Sequence, residues 1–210
     1  MTIKMFSMFS GIGGFEKGMQ DSGIPFETVG YSEIDKFAIQ VYENHFKGIK
    51  NYGDATRIDT SELPNFDLLA CGFPCQAFSV AGLQKGFDDT RGTLFFEVAR
   101  ILRDKKPKCF LLENVKGLIS HDSGHSFKRI LGVCSDLGYD IEWEVLNSKD
   151  FGVPQNRERI YLVGHLRGQC KPEVFPLGQT GGKIDINLNQ IGVIGKDSEA
   201  TRVYDANGIS

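Results

Sequence analysis

Residues 2–21 read TIKMFSMFSGIGGFEKGMQD, in which an apolar run is followed by a cluster of glycines and then by an amphipathic stretch. The apolar run predicts a strand over Thr2–Phe9, and the amphipathic stretch predicts a helix over Phe15–Asp21. The glycines of Gly11–Gly14 permit a tight turn, and the helix that follows offers free N–H groups to an anionic group. Their Gly-x-Gly-Gly spacing is only part of the dinucleotide-binding fingerprint, so a plain tight turn is the alternative interpretation.

The same alternation of strand and helix continues to about residue 165. Short apolar runs predict strands, and stretches with helical periodicity predict helices between them. The further strands are expected at Glu27–Tyr31, Phe66–Cys71, Cys109–Glu113, Ile141–Leu146 and Arg159–Val163, and the helices at Asp35–Phe46, Thr93–Asp104 and Ser126–Leu137. Because continuous apolar strands alternate with helices, we expect an α/β fold whose mostly parallel sheet is covered by helices on both faces.

Composition excludes several classes of protein. With 40% hydrophobic residues, the 210-residue chain can bury a sizeable core, and 24% charged residues is ordinary for a folded domain. No run approaches 18 apolar residues and no basic start leads into an apolar segment, so we expect an unprocessed, cytoplasmic protein without a membrane span. Five cysteines, an odd number, indicate reduced thiols rather than a disulfide framework. The net charge of −3 does not favour a nucleic-acid partner, although a local basic patch can coexist with it.

The glycines bear on the organisation of the chain. Their number, 25 of 210 residues, exceeds the usual share of about 7% and indicates loops where the backbone approaches a ligand closely. Seven of them lie in residues 167–210, a segment without helical periodicity. We therefore expect one domain over residues 1–165 and the start of a second, irregular and polar, over residues 166–210.

Two acidic residues follow the glycine turn at informative positions. Glu33 comes 19 residues after Gly14, at the end of the predicted second strand, where a carboxylate typically accepts ribose hydroxyls. Asp54 falls at the expected end of the next crossover, where another edge of a nucleoside would lie. Each acid alone is better explained as a solvated loop residue. Together with the glycine turn they favour an adenosine-containing cofactor.

A cysteine stands where an apolar strand gives way to a loop. Gly72-Phe73-Pro74-Cys75-Gln76 follows the strand FDLLAC, and ligands of open α/β sheets bind beyond the carboxyl ends of strands. Cys71, within the apolar run, fits the usual fate of cysteine as a buried core residue. Cys75 is instead a candidate nucleophile, because it opens a long, polar, glycine-punctuated loop typical of a mobile lid. That loop carries Gln76, Ser79, Lys85 and Arg91.

A zinc site has to be weighed against this interpretation. Cys71 and Cys75, together with His121 and His125, would supply thiolate and imidazole ligands. The gap between the two pairs exceeds zinc-finger spacing, and strand alternation directs Cys71 inward. We therefore expect no metal.

A second acid and a pair of arginines complete the candidate residues. Glu113 ends the strand CFLLE, where a carboxyl group beside buried residues can hold a proton near neutral pH. Arg157 and Arg159 are two residues apart, so on a strand both guanidinium groups face one side. The pair would clamp a polar edge or a phosphate of a substrate. The alternatives are that Glu113 caps a helix or is solvated, and that the two arginines lie at a solvated start of the strand.

The order of these segments resembles one enzyme family. FSGIGGFE at residues 9–16, GFPCQAFS at 72–79, ENV at 113–115 and QNRER at 155–159 resemble successive motifs of the cytosine carbon-5 DNA methyltransferases. The resemblance covers residues 5–165 almost continuously, and QKGFDDTRGTLFFE after the cysteine looks like that family's lid and following helix. Four motifs in one order form a specific match, whereas any one of them would be weak.

The resemblance implies a Rossmann-like methyltransferase fold and a covalent mechanism. The Cys75 thiolate would attack carbon 6 of cytosine, which makes carbon 5 nucleophilic toward the methyl group of S-adenosylmethionine, leaving S-adenosylhomocysteine as product. Glu113 would bind ring nitrogen 3 and the exocyclic amine and supply a proton. Arg159 would bind the carbonyl oxygen of the base, with Arg157 holding the loop or a phosphate. Since carbon 5 is inaccessible in a stacked duplex, the base would be flipped out of double-stranded DNA.

The resemblance also implies roles for the remaining candidates. Glu33 would bind the ribose hydroxyls, Asp54 the adenine amine, and Ile34 would lie against the adenine face. The rest of the implied cofactor pocket comprises Phe9, Gly11, Ile12, Gly13, Gly14, Ala55, Gly72 and Pro74. The implied DNA contacts are Gln76, Ser79, Lys85 and Arg91.

The C-terminal segment departs from the family pattern. Members of the family continue through a target-recognition domain, an Asn-bearing motif and a final helix, whereas Gly195–Ser210 looks like the entry to that domain. A two-chain enzyme completed by a second polypeptide, a natural truncation and a fragment of a longer protein all remain open. The resemblance implies a restriction–modification system as the setting.

Three other functions compete with DNA methylation. A non-catalytic DNA-binding or regulatory remnant is favoured by the missing C-terminal motifs and opposed by the intact Cys75, Glu113 and Arg159. A tRNA cytosine methyltransferase would use the same catalytic residues. A nicotinamide-dependent oxidoreductase would explain the glycine turn and Glu33, but it gives no role to Cys75 or to the arginine pair.

Overall fold

The computed structural model describes residues 2–74, 94–169 and 174. The chain divides into two compact units, residues 1–112 and 113–210. The domain boundary expected near residue 166 falls where the described residues end, and it stays a prediction. No helix among the described residues is both long and apolar enough to cross a membrane.

The first unit alternates strands and helices as the sequence predicts. Its strands are β1 (Ile3–Met8), β2 (Phe26–Ser32), β3 (Leu68–Cys71) and β4 (Cys109–Val115), of which β4 belongs to this unit up to Leu112. Its helices are α1 (Gly14–Ser22), α2 (Lys36–His45) and α3 (Leu94–Lys105). Each bound lies within two residues of the predicted one, because strand and helix periods differ clearly in these segments.

The four strands of this unit are parallel neighbours in the order β2-β1-β3-β4. The chain runs from β1 to β2 on one side and then returns to β3 on the other side of β1. The order therefore reverses between β1 and β3, and such a switch point leaves a crevice beyond the carboxyl ends of the two strands. The glycine turn follows β1, and the segment that leads to Cys75 follows β3, so both emerge at this crevice.

Continuous burial accounts for the apolar character of the strands. In β1, the side chains of Met5, Phe6 and Met8 have no exposed surface, and Ser7 between them is buried as well. A strand that is buried on both faces needs an uninterrupted apolar run rather than alternation. Helix α3 contributes a buried stripe at helical spacing, comprising Phe95, Val98, Ala99, Ile101 and Leu102.

The second unit begins within β4 and contains the last two strands. Helix α4 (His125–Asp136) precedes β5 (Tyr139–Asn147) and β6 (Glu158–Leu166). The ring of Phe127 packs edge-to-face on Trp143, with centroids 5.3 Å apart. These elements lie within three residues of their predicted bounds.

Strands β5 and β6 are antiparallel, with Tyr139 opposite Leu166 and Asn147 opposite Glu158. The strand–helix alternation predicts a mostly parallel sheet, and it does not reveal this antiparallel pair. The physical reason lies in the connection over residues 148–157, which contains only the short 3-10 turn Ser148–Phe151. A parallel pair needs a long crossover, usually a helix, whereas antiparallel strands can be joined by a short loop.

Candidate active site

The glycine turn after β1 is built on left-handed backbone. Phe9 and Gly11 have φ of +50° and +55°, and Gly13, the residue that caps α1, has φ of +91°. Gly13 also lies against the ring of Phe46, which a Cβ atom at this position would strike, whereas a Cβ on Gly14 would meet open space. The turn is therefore a specific, tightly packed structure, and glycine is required most strongly at position 13.

Glu33, half-buried just beyond β2, is tied to the glycine turn. One carboxylate oxygen, Oε2, accepts a hydrogen bond from the backbone N–H of Gly11 at 2.8 Å. The other, Oε1, accepts from the N–H groups of Ile34 and Asp35 at 2.8 and 2.9 Å. Backbone donors thus hold the carboxylate in one orientation beside the turn.

Asn51, which is not among the predicted site residues, connects Glu33 to the next acidic segment. Its side-chain oxygen accepts from the N–H of Glu33 at 3.3 Å and from that of Gly53 at 2.8 Å, while its amide donates to the carbonyl of Glu33 at 3.1 Å. The Ser32 hydroxyl donates to the carbonyl of Gly53 at 2.6 Å. An Asn shortly before a Gly-Asp pair is the signal that could have revealed this link.

Asp54 caps the 3-10 turn Ala55–Arg57. Its Oδ1 accepts from the backbone N–H of Thr56 at 2.9 Å and from the Thr56 hydroxyl at 2.8 Å. These hydrogen bonds hold the pKa of the Asp54 carboxyl below its ordinary value. Its second oxygen, Oδ2, lies 3.7 Å from Nε of the exposed Arg57. Ala55 itself is buried, so the turn sits firmly on the body of the unit.

Two large aliphatic side chains near these acids are exposed. Ile12, in the glycine turn, is 61% exposed, and Ile34, next to Glu33, is 72% exposed. Beside the tight glycine turn, the fixed carboxylates suit the ribose hydroxyls and the exocyclic amine of a nucleoside. The exposed aliphatic side chains suit the apolar faces of its base. The residues present therefore fit an adenosine-containing ligand.

The segment after β3 leads to the predicted nucleophile. Gly72 is half-buried and Pro74 is exposed. Phe73 between them is buried, with its ring 5.6 Å from that of Phe95 at the start of α3. Cys71 is fully buried, as expected for a core cysteine. The predicted residues Cys75, Gln76, Ser79, Lys85 and Arg91 lie outside the described residues.

In the second unit, the structure brings Glu113 and Arg159 together. Oε1 of Glu113, near the end of β4, lies 2.8 Å from Nε of Arg159 on β6. Their side chains are 23% and 20% exposed, so the pair is partly desolvated but accessible. Arg159 also donates to the backbone carbonyl of Glu158 at 2.8 Å. A carboxylate and a guanidinium, proposed separately from the sequence, thus form one polar site.

Tyr161, which is not among the predicted site residues, interacts electrostatically with this site. It lies two residues beyond Arg159 on β6, and strand alternation puts both on the same face. Burial raises the pKa of the Tyr161 hydroxyl and the charge of Glu113 raises it further, while Arg157 and Arg159 lower it. Arg157 is exposed just before the strand, and its backbone N–H donates to Asn147 at 3.1 Å. Alternation from the arginine pair is the signal that could have found Tyr161.

Metal ligands do not cluster in the part of the chain that the structure describes. No group of three or more His, Cys, Asp or Glu side chains there is arranged to hold an ion. His121, considered above for zinc, has its Nδ1 atom 2.6 Å from the hydroxyl of the buried Ser126.

A parallel sheet with a glycine turn after its first strand and an acid after its second defines an open α/β protein, a class whose ligands bind in the crevice at the switch point. The model of the C-5 cytosine-specific DNA methylase family matches residues 3–203, and the chain belongs to that family. The predicted family is confirmed.

Similar proteins are named as methyltransferases. The chain is 49% identical over 177 residues to the orphan methyltransferase M.SPRI of Bacillus phage SPR, which covers 83% of this chain and 40% of that protein. It is 52% identical over 187 residues to the type II methyltransferase M.NlaX of Neisseria lactamica, which covers 88% of this chain and 59% of that protein. The chain thus spans about half the length of these curated relatives.

Solved structures agree on the fold. The chain resembles the Dnmt2 methyltransferase of S. pombe with a TM-score of 0.63 at 21% identity, over 82% of this chain and 52% of that one. It resembles a putative DNA modification methyltransferase from an E. coli prophage with the same TM-score at 24% identity, over 79% of this chain and 47% of that one. The predicted Rossmann-like α/β fold is confirmed.

Proposed function

We propose that this chain is the catalytic part of a DNA cytosine-5 methyltransferase that acts on a cytosine flipped out of double-stranded DNA. The observation that carries the proposal is the contact between Glu113 and Arg159 at 2.8 Å, in a chain that belongs to the C-5 cytosine-specific DNA methylase family. The pair offers both kinds of group that the edge of cytosine needs. A carboxyl group can bind ring nitrogen 3 and the exocyclic amine, and a guanidinium can bind the carbonyl oxygen.

S-adenosylmethionine is the proposed methyl donor, and when bound it supplies an electrophilic methyl group. Glu33 binds the ribose hydroxyls through the lone pairs that its backbone donors leave free. Oδ2 of Asp54 accepts a hydrogen bond from the exocyclic amine of adenine, and Ile12 and Ile34 cover the faces of the base. The pocket wall comprises Phe9, Gly11, Gly13, Gly14, Ala55, Gly72 and Pro74.

Cys75 is the proposed nucleophile. Its thiolate forms a bond to carbon 6 of cytosine, and the electron pair displaced into the ring is neutralised by a proton from Glu113 at nitrogen 3. Carbon 5 thereby becomes nucleophilic and takes the methyl group, whose bond to the donor sulfur would break to leave S-adenosylhomocysteine. A base then removes the carbon-5 proton, and that electron pair forms the carbon 5–carbon 6 double bond, breaks the carbon–sulfur bond and regenerates the thiolate. Nitrogen 3 returns its proton to Glu113.

The DNA contacts of the proposal are Gln76, Ser79, Lys85 and Arg91, with Arg157 on the loop or a phosphate. Base flipping is required because a stacked cytosine presents neither carbon 5 nor carbon 6 to a side chain. We further propose that the protein works in the cytoplasm as part of a restriction–modification system. The similar protein named as a type II methyltransferase supports this setting. A second polypeptide that supplies further recognition residues is part of the same proposal.

Covalent trapping tests this proposal directly. Duplex DNA containing 5-fluorocytosine is incubated with the chain and S-adenosylmethionine, and the adduct is mapped by mass spectrometry after digestion. Fluorine cannot leave carbon 5 as a proton does, so we expect the DNA to remain bonded to Cys75. The variant Cys75→Ser should yield no adduct and no methyl transfer while it retains cofactor binding. Methyl transfer by Cys75→Ser would contradict the assignment of the nucleophile, and an adduct formed on RNA alone would indicate an RNA substrate.

A further inference from the structure

Helix α3 reaches across the first unit to the turn that Asp54 caps. The guanidinium of Arg100 donates through one terminal nitrogen to the carbonyl of Ala55 at 3.0 Å and through the other to the carbonyl of Ile58 at 2.7 Å. Its Nε donates to Oε2 of Glu97, one turn earlier on the same helix, at 2.9 Å. All three nitrogens of Arg100 are therefore engaged, two of them on the turn.

The two carbonyls that Arg100 binds belong to backbone that needs an external partner. A 3-10 turn of three residues satisfies few of its own carbonyls, and its last ones must find donors elsewhere. Ala55, the first residue of the turn, and Ile58, the residue after it, are only 3% and 5% exposed, so water is a poor substitute. A lost partner at such a site leaves a buried acceptor unsatisfied.

Asp54 and Arg100 together fix the turn. At the N-terminal end, Oδ1 of Asp54 accepts from Thr56, and the carbonyl of Asp54 accepts from the N–H of Arg57 at 2.9 Å. Arg100 spans the turn, because it binds the carbonyl of Ala55, its first residue, and that of Ile58, the residue that follows it. Arg100 donates to Ala55, Ile58 and Glu97 and not to Asp54 itself. It can therefore affect the direction of Asp54 Oδ2 only through the turn.

We infer that Arg100 is a positioning residue for base recognition, which holds the turn Ala55–Arg57 so that Oδ2 of Asp54 meets the exocyclic amine of a 6-aminopurine nucleoside. The inference rests on the proposed cofactor and assigns its adenine specificity to a contact outside the pocket. A displaced carboxylate can still contribute negative charge. It cannot distinguish an amino group from a carbonyl oxygen at the same ring position, because that distinction needs a directed hydrogen bond.

Lysine cannot replace arginine in this role. The planar guanidinium presents donors in a fixed fork, so it can bind two carbonyls and a carboxylate at once. A lysine ammonium is a single point charge on a flexible stem, and it would satisfy one carbonyl at most while keeping the charge beside Glu97. Arg100→Lys therefore tests the geometry of the contact rather than its charge.

The chain offers a matched control on the same helix. Lys105 donates to the carbonyl of Leu63 at 2.7 Å, immediately after the neighbouring 3-10 turn Thr60–Glu62. Lys105→Met removes a side-chain contact from α3 to a distant carbonyl, as Arg100→Met does, but it leaves the turn that Asp54 caps intact. A general loosening of this unit would affect both variants alike.

The test compares two ligands that differ at one ring position. S-adenosylhomocysteine carries the amino group, and S-inosylhomocysteine carries a carbonyl oxygen in its place. Their dissociation constants are measured by calorimetry or by ligand-observed NMR on the 210-residue chain and its variants. We expect the wild-type chain to prefer the amino ligand by about 10- to 100-fold, the range for a directed hydrogen bond to a charged acceptor. Arg100→Met and Arg100→Lys should reduce that preference to about threefold or less, and Asp54→Asn should do the same, whereas Lys105→Met should keep it.

Each outcome separates the inference from the proposed function. If the Arg100 variants bind both ligands more weakly but retain the full preference, Arg100 is merely structural and the inference is wrong. If the wild-type chain binds neither ligand, or binds both equally, the proposed adenine-binding role of the pocket is wrong, whatever the Arg100 variants do. Thermal melts identify folded variants, and if Arg100→Met does not fold, Arg100→Lys decides the question.

Discussion

The two polar sites of this protein hold their carboxylates in different ways. In the first unit, Glu33 and Asp54 are bound by backbone N–H groups and by a neighbouring hydroxyl, which do not leave when a ligand arrives. In the second unit, Glu113 is bound by another side chain, the guanidinium of Arg159. Backbone donors give a preformed site, whereas a side-chain pair can exchange its partner for the polar edge of a substrate. The difference matches a proposed cofactor site that is formed before binding and a proposed base site that rearranges on binding.

Breaking the exchangeable pair should have the largest effect. Glu113→Gln keeps the shape of the side chain but cannot supply a proton, so we expect the rate of methyl transfer to DNA to fall by about 10²- to 10⁴-fold. The measurement is the initial rate of methyl incorporation, with cofactor binding determined separately and expected to be unchanged. The matched control is Glu158→Gln, which removes an exposed acid paired with Lys116 and should leave the rate unaltered. A rate for Glu113→Gln within a factor of about three of wild type would show that no proton comes from this residue.

The packing of the preformed site can be tested at its tightest glycine. Gly13→Ala adds a Cβ atom that would strike the ring of Phe46 and approach that of Tyr42, at a residue with φ of +91°. We expect the free energy of unfolding in urea to fall by about 2–4 kcal/mol, from left-handed strain and overpacking together.

Gly14→Ala is the control for this substitution. Gly14 begins α1, and a Cβ there meets nothing within 4 Å. Alanine favours the helix over glycine by roughly 0.5–1 kcal/mol in a helix interior, so at this first position we expect no loss of stability. Equal destabilisation by both substitutions would contradict the packing argument for Gly13.

The smallest expected effect concerns the buried carboxyl group of Glu16, on the helix that follows the glycine turn. Glu16 on α1 has no exposed surface, and its Oε1 accepts a hydrogen bond from the hydroxyl of Tyr42 at 2.8 Å. Burial raises the pKa of Glu16 above its ordinary value of 4.5. The folded protein therefore retains a proton that the unfolded chain releases first. The contribution of Glu16 to the free energy of unfolding therefore falls as pH rises from about 4.5 through the raised pKa of the folded state. Above the raised pKa this contribution no longer changes with pH.

Glu16→Gln removes this titration while it keeps an acceptor for Tyr42. Relative to wild type, the variant should gain in free energy of unfolding as pH rises through this window. Chemical denaturation at a series of pH values measures the difference between the two proteins. A difference that does not change with pH would show that Glu16 does not titrate between the folded and unfolded states in this range.

Local patterns predicted the elements well, and the reasons are physical. Apolar runs identified β1 and β3 because buried parallel strands expose neither face, and helical periodicity identified α3 through its buried stripe. The glycine turn was predictable because left-handed backbone at Gly11 and Gly13 requires that residue type. The antiparallel β5–β6 pair was not, since strand direction depends on how the connection folds back.

Contacts between distant residues were largely beyond local patterns. The sequence placed Glu113 and Arg159 at strand termini, but it could not bring the carboxylate and the guanidinium to 2.8 Å. The contacts of Asn51 and Arg100 could not be predicted, because a side chain that binds backbone carbonyls produces no periodic pattern in the sequence. Cys75 remains a prediction from the sequence and the family.

The sequence by itself determined the order of strands and helices, the residues of the glycine turn and, through its motifs, the family. These properties follow from the period of apolar residues and from the backbone freedom of single residue types, both of which are local. Only the tertiary structure decided which donors hold each carboxylate, backbone for Glu33 and Asp54 and a side chain for Glu113. That choice depends on strand order and on side-chain reach across the fold, because hydrogen bonds form between groups that are close in space rather than in sequence.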